Sequence, residues 1–259
     1  VCSSDLRLIS IAVAVFGCMA LENFSGHMSD YGQRIIALVG LYVTLAVSLN
    51  LINGITGQFS IGHAAFYQVG AYFSGFISVT YYKASPIQGL PWLLLMVLVG
   101  GIGAAIAGFI VGLPSLRLKG DYLAIVTLGF GEIIRVFMNN LEQPVNITNG
   151  PKGLGQIDPL VVWGHPLSKP LDLGWLTLPS VTLYYYLFLV VVCLSVVMCH
   201  RLEQSRIGRA WMAIREDELA AKAMGLNTRN LKLMAFGMGA MFGGVAGVWF
   251  SAFQGFVSP

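Results

Sequence analysis

Apolar residues run along this chain in long blocks, and seven of those blocks approach or reach the ~20 residues a helix needs to cross a bilayer core. They lie near residues 6–21, 31–53, 60–81, 90–113, 121–138, 181–200 and 231–253. The pattern therefore predicts an all-α, polytopic integral membrane protein with about seven transmembrane helices in a single domain over residues 1–259. The first block is short. A cleaved signal peptide is the alternative reading there, but the run ends in Leu21-Glu22-Asn23 and not in a small-x-small site. The chain starts at Val1 and stops at Pro259 directly after an apolar block, so a longer parent protein is expected and seven is a minimum.

Composition agrees with this reading. Of the 259 residues, 56% are hydrophobic and 10% charged, with a mean hydropathy of +0.74. A water-soluble globule of that make-up could not cover its own surface. The net charge of +3 is small and scattered, which argues against nucleic acid. Cys18, Cys193 and Cys199 lie in or at the end of apolar runs and Cys2 at the start, so no disulfide framework or zinc site is expected.

The basic residues set the sidedness, because Lys and Arg are retained on the cytoplasmic side. With the start of the chain inside, ten basic residues fall in cytoplasmic segments, four (Arg34, Lys83, Lys152, Lys169) outside, and Arg135 within a span. Two soluble stretches are long. The outer one, 139–180, is rich in Pro, Gly and Trp and carries the turn signal Asn149-Gly150-Pro151-Lys152-Gly153. The inner one, 201–230, is charged: residues 201–232 hold seven of the fifteen basic and four of the twelve acidic residues.

Within that inner loop, residues 208–225 alternate apolar and charged positions at helical spacing. Ile207, Trp211, Ile214 and Ala221 can share one stripe, with Glu216, Asp217 and Lys222 facing away and Arg209 and Arg215 on the flanks. Glu218 and Lys222 are placed as an i,i+4 pair, and Gly225 as the residue closing the helix. One reading is a membrane-surface helix with Trp211 and Ile214 in the headgroups. The other is a docking helix for a cytoplasmic partner, which the mixed signs of charge favour.

Inside the spans, Asp121 after Gly120 reads as an N-cap. Glu132, eleven residues on, falls about 16 Å along the helix, near mid-membrane, with Arg135 on the same face. An ionisable group at that depth must face protein, water or a counter-charge. The pair is either a structural one with Arg135 reaching outward, or a lining of the pathway in which Glu132 meets an ammonium group. Gly54, Gly57, Gly62, Gly70 and Gly75, with Ser60 and His63 among them, suggest a broken or re-entrant helix bordering a cavity. Gly57, Ser60 and His63 are candidates for the path, although His63 by itself reads more simply as an interior histidine. Small residues four apart, Gly108 with Gly112 and Gly239, Gly243 with Gly247, permit close helix contacts, including contacts to a second subunit.

Three segments carry a resemblance. Residues 53–66 (NGITGQFSIGHAAF), 118–133 (LKGDYLAIVTLGFGEI) and 205–228 (SRIGRAWMAIREDELAAKAMGLNT) resemble, in order, the permease subunits of branched-chain amino acid ABC importers, the LivM-type branch in particular. The resemblance runs from about residue 35 to the end. It implies that the inner loop is a coupling helix seated on an ATP-binding subunit, with Ala220, Ala221 and Gly225 at the spacing of the general motif. Glu218 departs by one position, Leu219 standing where that motif has Glu. It further implies a second permease subunit, two ATP-binding subunits and an external binding protein delivering leucine, isoleucine or valine, in a bacterial or archaeal cytoplasmic membrane. Related members carry other amino acids or urea. The chain is expected to be no enzyme and to hold no cofactor, with ATP on partner subunits, because it contains no GxxxxGK[ST] loop. His27, His63, His165 and His200 are too far apart for a metal site. An ion-coupled secondary carrier is the rival class, and an inner docking loop is what such a carrier does not need.

Overall fold

The computed structural model describes residues 30–82, 89–115, 118, 120–142, 148–155, 157, 161–162, 165–172 and 177–259. The block 6–21, and with it Arg7, lies outside the described residues, as do Lys83, Arg117 and Lys119.

The long helices are α1 (Asp30–Asn50), α2 (His63–Tyr81), α3 (Leu90–Ser115), α4 (Asp121–Asn140), α5 (Ser180–Gln204) and α8 (Thr228–Gln254), and the inner loop adds α6 (Arg206–Glu216) and α7 (Glu218–Ala223). Among the described residues, five helices are long and apolar enough to span a membrane: Arg34–Ile55, Leu90–Ser115, Tyr122–Asn140, Ser180–Gln204 and Thr228–Gln254. With α2 as a sixth, each of the expected blocks from 31 to 253 is a helix among the described residues, and the block 6–21 lies outside them. That sixth helix is less apolar because it lodges between α3 and α8 and turns polar residues inward. Ser74 and Ser78 are buried there, and the Ser74 hydroxyl lies 3.3 Å from that of Ser251.

Most of the length of α8 is buried, and it forms the axis of the bundle. The glycines explain how closely its neighbours approach. A Cβ on Gly70 would run into the backbone of Gly244, one on Gly244 into Ala104, and one on Gly247 into Tyr67. Gly108 meets Ala240 in the same way, and Gly239 meets Ile52. The small-residue stripes are thus spent on contacts within this chain, where backbones pack by van der Waals contact in place of a hydrophobic drive.

Two-residue antiparallel strands tie down the outer stretch. β1 (Leu154–Gly155) pairs with β6 (Phe256–Val257), Leu154 opposite Val257; β2 (Val161–Val162) pairs with β3 (His165–Pro166), and β4 (Leu171–Asp172) with β5 (Thr177–Leu178). The turn expected at Asn149–Gly153 is present: Asn149 is left-handed at φ 59° and opens a 3-10 turn over Gly150–Lys152. Thr148 donates to the Met138 carbonyl at 2.6 Å, so this stretch folds back on the end of α4. Because β6 follows the C-terminus of α8 while α6 and α7 precede its N-terminus, β1 of the outer stretch and the inner loop lie at opposite ends of α8. That separation is what the basic-residue distribution demands.

Candidate functional site

Helix α1 does not end cleanly. It widens into a π-turn at Leu51–Ile55 and gives way to an irregular stretch, Thr56 to Gly62, before α2 begins at His63. The broken helix expected from the glycines is therefore real. Its backbone groups are met by side chains and by neighbouring helices. Gln58 N–H donates to the Ile52 carbonyl at 3.2 Å, Ser60 N–H to Asn53 Oδ1 at 3.1 Å, and Ile61 N–H to Thr127 Oγ1 on α4 at 3.1 Å. Gly57 turns the chain at φ +68°, and a Cβ on Gly62 would strike the Thr127 carbonyl, so the break is pressed against α4.

Ser60 and His63 are buried here, at 3% and 5% exposure. His63 Nε2 lies 2.6 Å from the Ser48 hydroxyl, in accord with the interior-histidine reading. Gln58 Nε2, Ser60 Oγ and His63 Nδ1 are also buried and find no hydrogen-bond partner among the described residues.

The inner loop is built from α6 and α7, not from one continuous helix over 208–225. Asp217 breaks it: its backbone is extended, and its carboxylate accepts from Leu219 N–H at 2.8 Å and Ala220 N–H at 3.2 Å, capping α7. Helix α6 is capped in turn by Ser205, whose hydroxyl accepts from Gly208 N–H. The apolar stripe forms as expected but points into protein. Trp211 is completely buried, in a cluster with Leu51, Ile55, Cys199, Ala235 and Phe242, and Ile214 is nearly so. The indole N–H of Trp211 donates to the Leu231 carbonyl at 2.8 Å. Trp211 and Ile214, the side chains expected in the headgroups on the membrane-surface reading, are thus covered by protein.

Glu218 pairs with Lys232 at the start of α8, at 2.8 Å. The break at Asp217 leaves Glu218 at the first position of a six-residue helix and aims it at α8, where Lys232 is only 13% exposed. Ala221 is buried and Ala220 exposed, while Gly225 closes α7 at φ +84°. Leu226 N–H reaches back to the Ala221 carbonyl, as expected of a left-handed closing residue. Outward, α7 presents Leu219 at 74% exposure and Met224 at 85%, with Arg209 exposed on α6. Arg215 turns the other way: its Nη1 donates to the Gly54 carbonyl at 2.6 Å.

On α4 the cap is Gly120, at φ 58°, and Asp121 is the first helical residue, which corrects the N-cap expectation. Arg135 Nε donates to Glu132 Oε2 at 2.9 Å, so the predicted pair forms, yet both side chains are more than half exposed. Around them Ile125, Ile133, Val136 and Phe137 are exposed as well. This face of α4 is turned away from the rest of the subunit.

Sequence reasoning missed three participants: Thr127, Lys232 and the carbonyl of Gly54. Each acts across a tertiary contact. Only Gly54, within the glycine-rich stretch, carried a local signal.

A family model described as "Branched-chain amino acid transport system / permease component" matches residues 33–259. The chain is 42% identical over 238 residues to the high-affinity branched-chain amino acid transport system permease protein LivM of Escherichia coli (strain K12), covering 87% of this chain and 53% of that protein. It is 28% identical over 250 residues to a probable LivM of Methanocaldococcus jannaschii, covering 86% and 68%. To LivH of Escherichia coli (strain K12) it is 25% identical over 231 residues, covering 86% and 70%. The chain spans about half the length of the bacterial LivM proteins it matches. No solved structure matches it.

Proposed function

This chain belongs to the family of branched-chain amino acid transport system permease components, and from that premise we propose that it is a membrane subunit of an ATP-driven importer of leucine, isoleucine or valine. The transporter holds a second permease subunit, two ATP-binding subunits and an external binding protein, and it resides in a prokaryotic cytoplasmic membrane. ATP is bound and hydrolysed by the partners; the permease supplies the path and the lever.

The observation that carries this reading is the construction of the inner loop. Its root is locked to the bundle by buried Trp211 and Ile214, while its tip offers Leu219 and Met224 to the cytoplasm. Exposed apolar side chains on a rigid, charged-flanked support mark an interaction surface. The arrangement suits a lever that an ATPase grips by Leu219, Ala220 and Met224, with Gly225 setting the exit of the chain.

The exposed face of α4 supports the rest. A charged pair near mid-membrane is costly against hydrocarbon and belongs against protein or water. The face bearing Glu132 and Arg135 is therefore assigned to the second permease subunit and the path between the two, where Glu132 meets the substrate ammonium. Gly57, Ser60 and His63 join that path in a conformation that parts the break from α4.

The test is uptake of radiolabelled leucine into vesicles holding the full complex, with binding protein and ATP varied and urea as competitor. Uptake requiring both ATP and binding protein, and unaffected by urea, is expected. Uptake driven by an ion gradient without ATP would overturn the reading, and displacement of leucine by urea would overturn the substrate.

A further inference from the structure

The inner loop and the break in α1 meet at one side chain. Arg215, at the end of α6, donates through Nη1 to the Gly54 carbonyl within the π-turn, and its aliphatic stem lies over Gly57. A Cβ on Gly57 would sit 2.8 Å from Arg215 Cγ, so the stem fills the space a side chain would take. Leu51 and Ile55, at either end of the π-turn, pack in the cluster that buries Trp211 on α6. Helix α6 thus holds the π-turn at both its polar and its apolar sides.

A π-turn is a one-residue widening of an α-helix, and such widenings are frequent at functional sites. The stretch that follows has a reason to shift. Gln58 Nε2, Ser60 Oγ and His63 Nδ1 are buried without hydrogen-bond partners among the described residues, a cost that access to water would remove. A conformation carrying that cost persists when contacts outside the stretch hold it.

Building on the transporter reading above, we propose that Arg215 is the positioning residue that latches the α1–α2 break closed, and that movement of α6 releases or restores this latch. The two states are the break pressed on α4, as described, and the break parted with residues 58–63 wetted. An ATPase that displaces the inner loop would pull Arg215 from Gly54 and so reach the path, which is a physical two-state link between the sites.

The experiment uses the full complex in vesicles, with wild type, Arg215→Ala and Arg215→Lys for the first readout and the same three carrying Ser60→Cys for the second. The first readout is ATP hydrolysed per leucine taken up. The second is labelling of the Ser60→Cys thiol by a water-soluble reagent, above the level of the parent with its four native cysteines. Arg215→Ala is expected to raise ATP consumed per leucine by at least about fivefold, the low end of a typical coupling between sites, and to raise labelling. Arg215→Lys keeps a donor and a stem and is expected to restore both readouts. If Arg215→Ala does not assemble, Arg215→Met, which keeps the stem and lacks the donor, carries the same expectation. Normal stoichiometry with unchanged labelling in the donor-less variant overturns the latch, as does a Lys variant that behaves like Ala. A wild-type complex without ATP-dependent uptake defeats the transporter reading instead, and the labelling readout, which needs no transport, still decides the latch.

Discussion

Trp211 shows how much rests on one residue of the inner loop. It is completely buried and its N–H is spent on Leu231, so Trp211→Ala removes a large apolar side chain and frees a carbonyl. A loss of about 3–5 kcal/mol is expected, seen as lower thermal stability of the detergent-purified permease. Glu132 is the opposite case, because its side chain is largely exposed on this subunit and its ion pair with Arg135 lies within one helix. Glu132→Gln should leave the helix packing of this subunit intact and lower the rate of leucine uptake; a normal rate would return the pair to a structural role. Glu218 stands between these two, tied to the bundle by its ion pair with Lys232, so Glu218→Lys sets two cations together at the root of α8. Loss of ATPase co-purification in that variant, with the protein still folded, is the expected result.

At the scale of elements, the inner loop was legible in its stripe and its closing glycine but not in its break. Ile207, Trp211, Ile214 and Ala221 do turn inward, because helical spacing fixes a face wherever a core is available to receive it. The interruption at Asp217 depends on a carboxylate capping two backbone donors, a local bond that competes with helix continuation and that periodicity cannot register. Asp217→Ala removes that cap at a cost of about 1 kcal/mol. The expected outcome is a frayed α7 with weaker ATPase retention on affinity purification, while the melting of the long helices is unchanged. Helix α8 makes the complementary point. Gly247→Leu forces a side chain into the backbone of α2, and overpacking of about 1–3 kcal/mol or more is expected, read as loss of monodisperse protein on size exclusion.

For the molecule as a whole, the order of spans, the two opposed soluble ends and the family were determined by the sequence. Apolar length, basic-residue bias and three motifs are properties of the chain that survive whatever it packs against. Tertiary structure alone decided which helix is the axis, that α2 tolerates its serines because α3 and α8 enclose it, and that the small-residue stripes close on this subunit itself. It also decided that Glu132 and Arg135 face outward and that Arg215 reaches Gly54, a residue 161 positions away. The reason is physical. Burial and spacing are averaged along a segment and leave a periodic trace, whereas a hydrogen bond or a backbone close-approach between distant segments depends on where two helices happen to lie, and no local pattern records it.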